Sequence, residues 1–151
     1  MYNLSDTIAA VCTAPGTGAI AVIRLSGSES WEIINKIFTR HSFTHMQAVH
    51  GYIIDNDKVI DEVVVLPYKT PNSYTSEDTV EIFCHGGNAV PYMILDLCLK
   101  NGARKASNGE FTYRAFVNGR IDLTEAEAIN ETINAENIQT AHSVQVILED
   151  Y

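Results

Sequence analysis

The run Ala14-Pro15-Gly16-Thr17-Gly18-Ala19-Ile20-Ala21-Val22-Ile23-Arg24-Leu25-Ser26-Gly27 decides the architecture. Pro15, Gly16 and Gly18 form a turn signal. Ala19 to Leu25 is a short β-rich apolar run, which reads as a strand, and Ser26-Gly27 closes it. Immediately afterwards the period changes. Trp31, Ile34, Ile37 and Phe38 recur at helical spacing, with Ser28 as the expected N-cap. Together with the further strands that follow and the helical stretch that closes the chain, this is a pattern of mixed strands followed by helices. It points to an α+β domain, expected as a mixed sheet flanked by helices.

The flanking sequence extends this pattern. Thr7 to Cys12 reads as a preceding strand. Gly51 to Ile54 and Val59 to Leu66, joined by Asp55-Asn56-Asp57, read as a hairpin. Val63, Val64 and Val65 run without alternation, which predicts a strand covered on both faces. Thr79 to His85 does alternate, with Val80, Ile82 and Cys84 on one face and Glu81, Phe83 and His85 on the other. A helix over 89–101 has Pro91 early and Gly102 just past its end, the usual asymmetry of helix termini. Residues 103–110 read as irregular or as a short edge strand. A short helix from Thr112 to Val117 stops at Asn118-Gly119. Thr124-Glu125-Ala126-Glu127 reads as a capping box, after which Ala126, Ile129, Ile133, Ile138, Ala141, Val144 and Leu148 continue one apolar stripe. That stripe predicts the first helices of an all-α domain that continues beyond this chain. The expected division is residues 1–119 for the α+β domain and 120–151 for the start of the helical one. Beyond residue 135 the stripe is expected to be mobile or packed against a second chain.

Composition limits function. With 151 residues, 46% apolar and 19% charged, the chain can bury a core and falls in the soluble globular class. No apolar run approaches the roughly 18–20 residues of a membrane span, and no secretory signal opens the chain, so a cytoplasmic location is expected. A net charge of −9 argues against this chain gripping nucleic acid by itself, because phosphate contacts need clustered Lys and Arg. Cys12, Cys84 and Cys98 are too widely spaced for a metal clamp and read as small, buried, reduced residues.

Four segments, in order, carry a family resemblance: Asp6–Ala10 with Thr13–Gly27; Pro71–Asp78 continuing through Glu81 to His85-Gly86-Gly87; Gly109–Arg120; and Asp122–Ile129. Together they resemble the tRNA-modifying GTPases of the MnmE/TrmE family, over nearly the whole chain. The resemblance implies an N-terminal α+β domain that binds a reduced folate, 5-formyl- or 5,10-methylene-tetrahydrofolate, and forms the homodimer. It implies a longer protein in which a helical domain is interrupted by a GTPase domain requiring GTP, K+ and Mg2+. That protein works with an FAD-dependent partner to add an aminomethyl-type group at C5 of the tRNA wobble uridine. No G-x-x-x-x-G-K-[ST] occurs here, so this chain is not expected to hydrolyse GTP or to be catalytic alone. Asn108 stands where the family usually has Pro, and Arg120 where Lys is usual, which keeps the charge but changes the donor geometry.

The resemblance assigns folate contacts to Arg24, Glu81 and Arg120, with no catalytic and no metal-binding residue. Each assignment has a plainer rival. Arg24 could be an exposed edge-strand cation; as a ligand residue it could pair with a carboxylate or stack on an aromatic ring, and folates carry both. Glu81 could be a solvated carboxylate on a half-exposed sheet; as a ligand residue it would accept donors from the aminopyrimidine edge of a pterin. Arg120 could be a charge favoured at a helix C-terminus. Gly16-Thr17-Gly18 leads into a strand, so it reads as a tight turn rather than a phosphate loop. His85-Gly86-Gly87 reads as a structural turn. Glu110, Phe111 and Arg114 read as capping and packing of a short helix, with shaping of the folate pocket or dimer interface as the alternative. At the level of the molecule, two rivals to the folate module remain: a purely structural dimerisation unit, and a stand-alone folate-dependent one-carbon transferase.

Overall fold

The structure is a computed structural model describing residues 4–16 and 18–133. The described residues form two compact units. The first comprises the described part of Met1–Ser73 together with Glu77–Ala106. The second comprises Tyr74–Ser76 with the described residues from Ser107 onward.

The first unit is a six-stranded mixed sheet carrying two helices. In chain order it contains β1 (Ile8–Val11), β2 (Ile20–Ser26), α1 (Ser30–Ile37), β3 (Val49–Asp55), β4 (Lys58–Tyr68), β5 (Thr79–His85), α2 (Val90–Lys100) and β6 (Arg104–Lys105). The spatial order is β3-β4-β5-β2-β1-β6. Every pairing is antiparallel except β1 with β6. The mixed sheet flanked by helices expected from the sequence is thus observed.

The period-2 pattern explains the layers. Ile23 and Leu25 of β2, Val63 and Val65 of β4, and Val80, Ile82 and Cys84 of β5 form one face. They bury themselves with Ile33, Ile34 and Ile37 of α1 and Ile94, Leu97 and Cys98 of α2. Full burial of each such aliphatic side chain contributes on the order of 2 kcal/mol. The alternation expected for β5 is borne out. The double coverage expected of the valine run is not: Val63 and Val65 are buried, whereas Val64 is 37% exposed on the opposite face. A β-branched residue is favoured on an open sheet face too, so an apolar triplet does not establish that both faces are covered.

Two further expectations are corrected. Helix α1 is preceded by Glu29, which makes no side-chain cap, rather than by a capping Ser28. Its entry is held instead by Ser30, whose hydroxyl donates to the carbonyl of Gly27 and, at 2.7 Å, to that of Asp78. Cys84 and Cys98 are buried as expected, but Cys12 lies just past the end of β1 and is exposed. Thr70-Pro71 is a cis peptide in the loop between β4 and β5.

The second unit contains α3 (Glu110–Val117) and α4 (Leu123–Ile133), which pack together, and the segment Tyr74–Ser76. Helix α3 starts after Gly109 at φ 74° and ends before Gly119 at φ 79°, both in the left-handed region that glycine adopts at least cost. Helix α4 is capped two residues earlier than the sequence suggests. The Glu125 amide donates to Asp122 Oδ1 at 2.8 Å, so Asp122 rather than Thr124 is the N-cap. The apolar stripe expected over 138–148 lies outside the described residues.

Candidate functional site: an acid–base cluster on the open sheet face

The face of the sheet opposite α1 and α2 carries the residues singled out from the sequence. β2 and β5 are antiparallel neighbours, and their register sets Arg24 directly opposite Glu81. The guanidinium reaches across the strand pair: Arg24 Nη2 donates to Glu81 Oε2 at 3.1 Å and Nε to the same oxygen at 3.3 Å. The side chains are only 22% and 15% exposed, so solvent screens this pair less than an ordinary surface pair. Arg24 is therefore not an edge-strand cation. β2 lies inside the sheet, between β5 and β1.

A third strand completes the cluster. Tyr68, the last residue of β4, donates its hydroxyl to Glu81 Oε1 at 2.8 Å. Burial, followed by the hydrogen bond to Glu81 and its negative charge, pushes the phenol up to about 12, so it remains a protonated donor at neutral pH. The sequence gives no sign of this role. Tyr68 is separated from Glu81 by a loop containing several turn-forming residues, and only the β4–β5 register brings the two together.

Beyond this cluster the same face becomes apolar. Val22, Leu66 and Phe83 are half-buried, Val64 is exposed, and Ile20 is 64% exposed. At the next turn of the pleat, His85 donates its backbone N–H to Asp61 Oδ2 at 2.9 Å and sets its ring Nδ1 2.7 Å from Oδ1. Alongside, His50 Nε2 and the Tyr52 hydroxyl both lie on Glu62 Oε2. These contacts hold the Glu62 carboxyl below its usual range, chiefly through the hydrogen bonds from His50 and Tyr52. Among the described residues, no group of His, Cys, Asp and Glu is arranged to hold a metal ion.

The glycine turns lie beside the end of β2. Gly16 and Gly18 precede the strand without a helix, and the Gly86 amide donates to the Ala19 carbonyl at 3.1 Å. A Cβ on Gly86 would stand 1.8 Å from the Gly18 carbonyl oxygen, so this turn is packed backbone against backbone. Val11, Pro15, Gly16, Gly87 and Tyr92 help line a small cleft there.

Arg120 belongs to the second unit. It follows α3 and Gly119, and its guanidinium carbon lies 5.3 Å from the centroid of the Tyr74 ring, a cation–π distance. Tyr74 is itself anchored by a 2.8 Å hydroxyl contact with Thr112, and Asn118 donates to the Thr75 carbonyl. Within α3, Glu110 and Arg114 are fully buried and paired at 3.4 Å, and Glu110 Oε1 also accepts from the Ser107 amide. These are the contacts expected of capping and packing.

Residues 7–120 match the family model described as GTP-binding protein TrmE N-terminus. Similar curated proteins bear the name tRNA modification GTPase MnmE. One from Thermotoga petrophila is 55% identical over 133 residues, which is 87% of this chain and 30% of the relative. One from Thermoanaerobacter pseudethanolicus is 47% identical over 154 residues (97% and 34%), and one from Flavobacterium johnsoniae is 46% identical over 143 residues (91% and 31%). The chain thus spans about a third of the length of these relatives.

Proposed function

The chain belongs to the TrmE N-terminal family, found in tRNA modification GTPases, and on that premise we propose that it is the folate-binding and homodimerising module of such an enzyme. Its domain boundary falls at residues 119 and 120. The ligand is 5-formyl- or 5,10-methylene-tetrahydrofolate, contacted by Arg24, Glu81 and Arg120. The observation that carries this reading is the cluster of Glu81, Arg24 and Tyr68 on an open sheet face. An ionised carboxylate accepts only, and it suits the adjacent N–H donors of an aminopyrimidine edge. Arg24 and Arg120 offer planar cations for the folate's carboxylates or rings. The domain works by position: it holds the one-carbon group toward chemistry carried out elsewhere in the complex. That complex adds an aminomethyl-type group at C5 of the wobble uridine, with GTP, K+ and Mg2+ used by the GTPase domain and an FAD-dependent protein as partner. The exposed Ile20 and Val64 beside Phe83 support a protein contact on this face, and a second copy of the chain fits that role. The setting is cytoplasmic; among the described residues no helix is long and apolar enough to cross a membrane.

One observation favours a rival. Arg24 and Glu81 already satisfy each other, as a cross-strand pair joining β2 to β5 would in a domain that only dimerises. Calorimetric titration with 5-formyl-tetrahydrofolate, run alongside sedimentation equilibrium, separates the two. The folate module binds stoichiometrically as a dimer, and Glu81→Gln weakens binding at least about tenfold while the dimer persists, because a charged acceptor is lost. A dimer that takes up no folate establishes the rival.

A further inference from the structure

We propose that Tyr68 is a positioning residue for the ligand, acting through Glu81: its hydroxyl fixes the carboxylate so that Glu81 stays aimed when Arg24 turns to the ligand. This rests on the folate reading above. A carboxylate has two oxygens with roughly four acceptor positions. In the structure Oε2 takes both Arg24 N–H groups, at 3.1 and 3.3 Å, while Oε1 takes the single Tyr68 hydroxyl at 2.8 Å. A ligand edge with two adjacent N–H donors therefore finds spare capacity on Oε1, and on Oε2 it must share with, or displace, part of the guanidinium. Once Arg24 moves toward the ligand, Tyr68 is the remaining side chain of the cluster that resists rotation of the carboxylate.

Tyr68 is built for a fixed role. It ends β4, paired opposite Thr79 of β5. Its carbonyl accepts from the Trp31 indole at 3.1 Å, and its ring meets His45 edge-on at 6.4 Å. The phenol is half-buried and keeps its proton through neutral pH. A short anchored donor of this kind restricts the acceptor with little loss of its own freedom, which is how preorganisation raises affinity. Phenylalanine would keep the ring and lose only the donor.

The test is a double-mutant cycle on this chain with Tyr68→Phe, Glu81→Gln and the pair. Titrations use 5-formyl-tetrahydrofolate and, separately, p-aminobenzoylglutamate, which lacks the pterin. Tyr68→Phe is expected to weaken 5-formyl-tetrahydrofolate by about tenfold. It should leave p-aminobenzoylglutamate binding unchanged and add nothing in the Glu81→Gln background. Unchanged folate affinity in Tyr68→Phe overturns the proposal, as do additive losses or equal losses for both ligands. If the unaltered chain binds no folate, the functional reading falls and this inference falls with it. If folate binds and Glu81→Gln matters while Tyr68→Phe does not, only the inference falls.

Discussion

Glu81 accepts from two elements at once, Arg24 on β2 and Tyr68 at the end of β4. Its chemistry depends on that geometry more than on its identity. The cysteines make the same point. The Cys84 and Cys98 thiols are pushed up to about 11 and about 12, chiefly by burial, and both are enclosed by the core. Cys12 is exposed; nearby atoms still partly desolvate its thiol and raise it, and the Glu81 charge adds to this while the Arg24 charge opposes it. A disulfide reagent at pH 8 should therefore titrate one thiol in the folded chain, more slowly than a free cysteine, and all three in denaturant. Two or three fast thiols in the folded state would contradict this packing. Gly86 offers a second test. Alanine there would drive its Cβ into the Gly18 carbonyl, a backbone atom that cannot swing aside. The expected loss is about 2–3 kcal/mol in urea denaturation, within the range for overpacking at a close backbone approach.

Elements in this protein begin where local chemistry permits, and their ends are more subtle than their middles. Strand β5 was legible to the residue, since Thr79–His85 alternates cleanly and turns at Gly86. Helix α2 came within a residue of expectation at each end, because Pro91 and Gly102 bracket it. Helix α4 shows how a cap signal misleads. Thr124 and Glu127 have the spacing of a capping box, yet Asp122 and Glu125 have it too, and the chain uses Asp122. Asp is at least as good an N-cap as Thr, and the helix gains a turn-start two residues earlier. Replacing Asp122 with Ala should cost about 1 kcal/mol and speed amide exchange at Glu125, while Thr124→Ala should leave both nearly unchanged. The reverse ranking would restore the original assignment.

At the scale of the whole molecule, one sheet does two jobs. One face, with α1 and α2, makes a continuous apolar core. The other is left to hold a charged cluster beside exposed aliphatic residues. Burying one face supplies the stability, so the opposite face is free to carry groups that would be costly in a core. The chain spans about a third of the length of the curated relatives it matches.

The sequence by itself determined the class of fold, most of the elements and the buried face of β5, because periodicity and turn chemistry are local properties that survive in a linear string. It also carried the family, through four motifs in order, and with it Arg24, Glu81 and Arg120 as separate candidates. Tertiary structure alone decided that Arg24 faces Glu81, that Tyr68 joins them, that Arg120 lies over Tyr74, and that Val64 is open to solvent. The physical reason is register. Residues 57 apart become neighbours only when strands pair, and pairing is chosen by the sum of all the apolar contacts on the buried face rather than by any residue at the site.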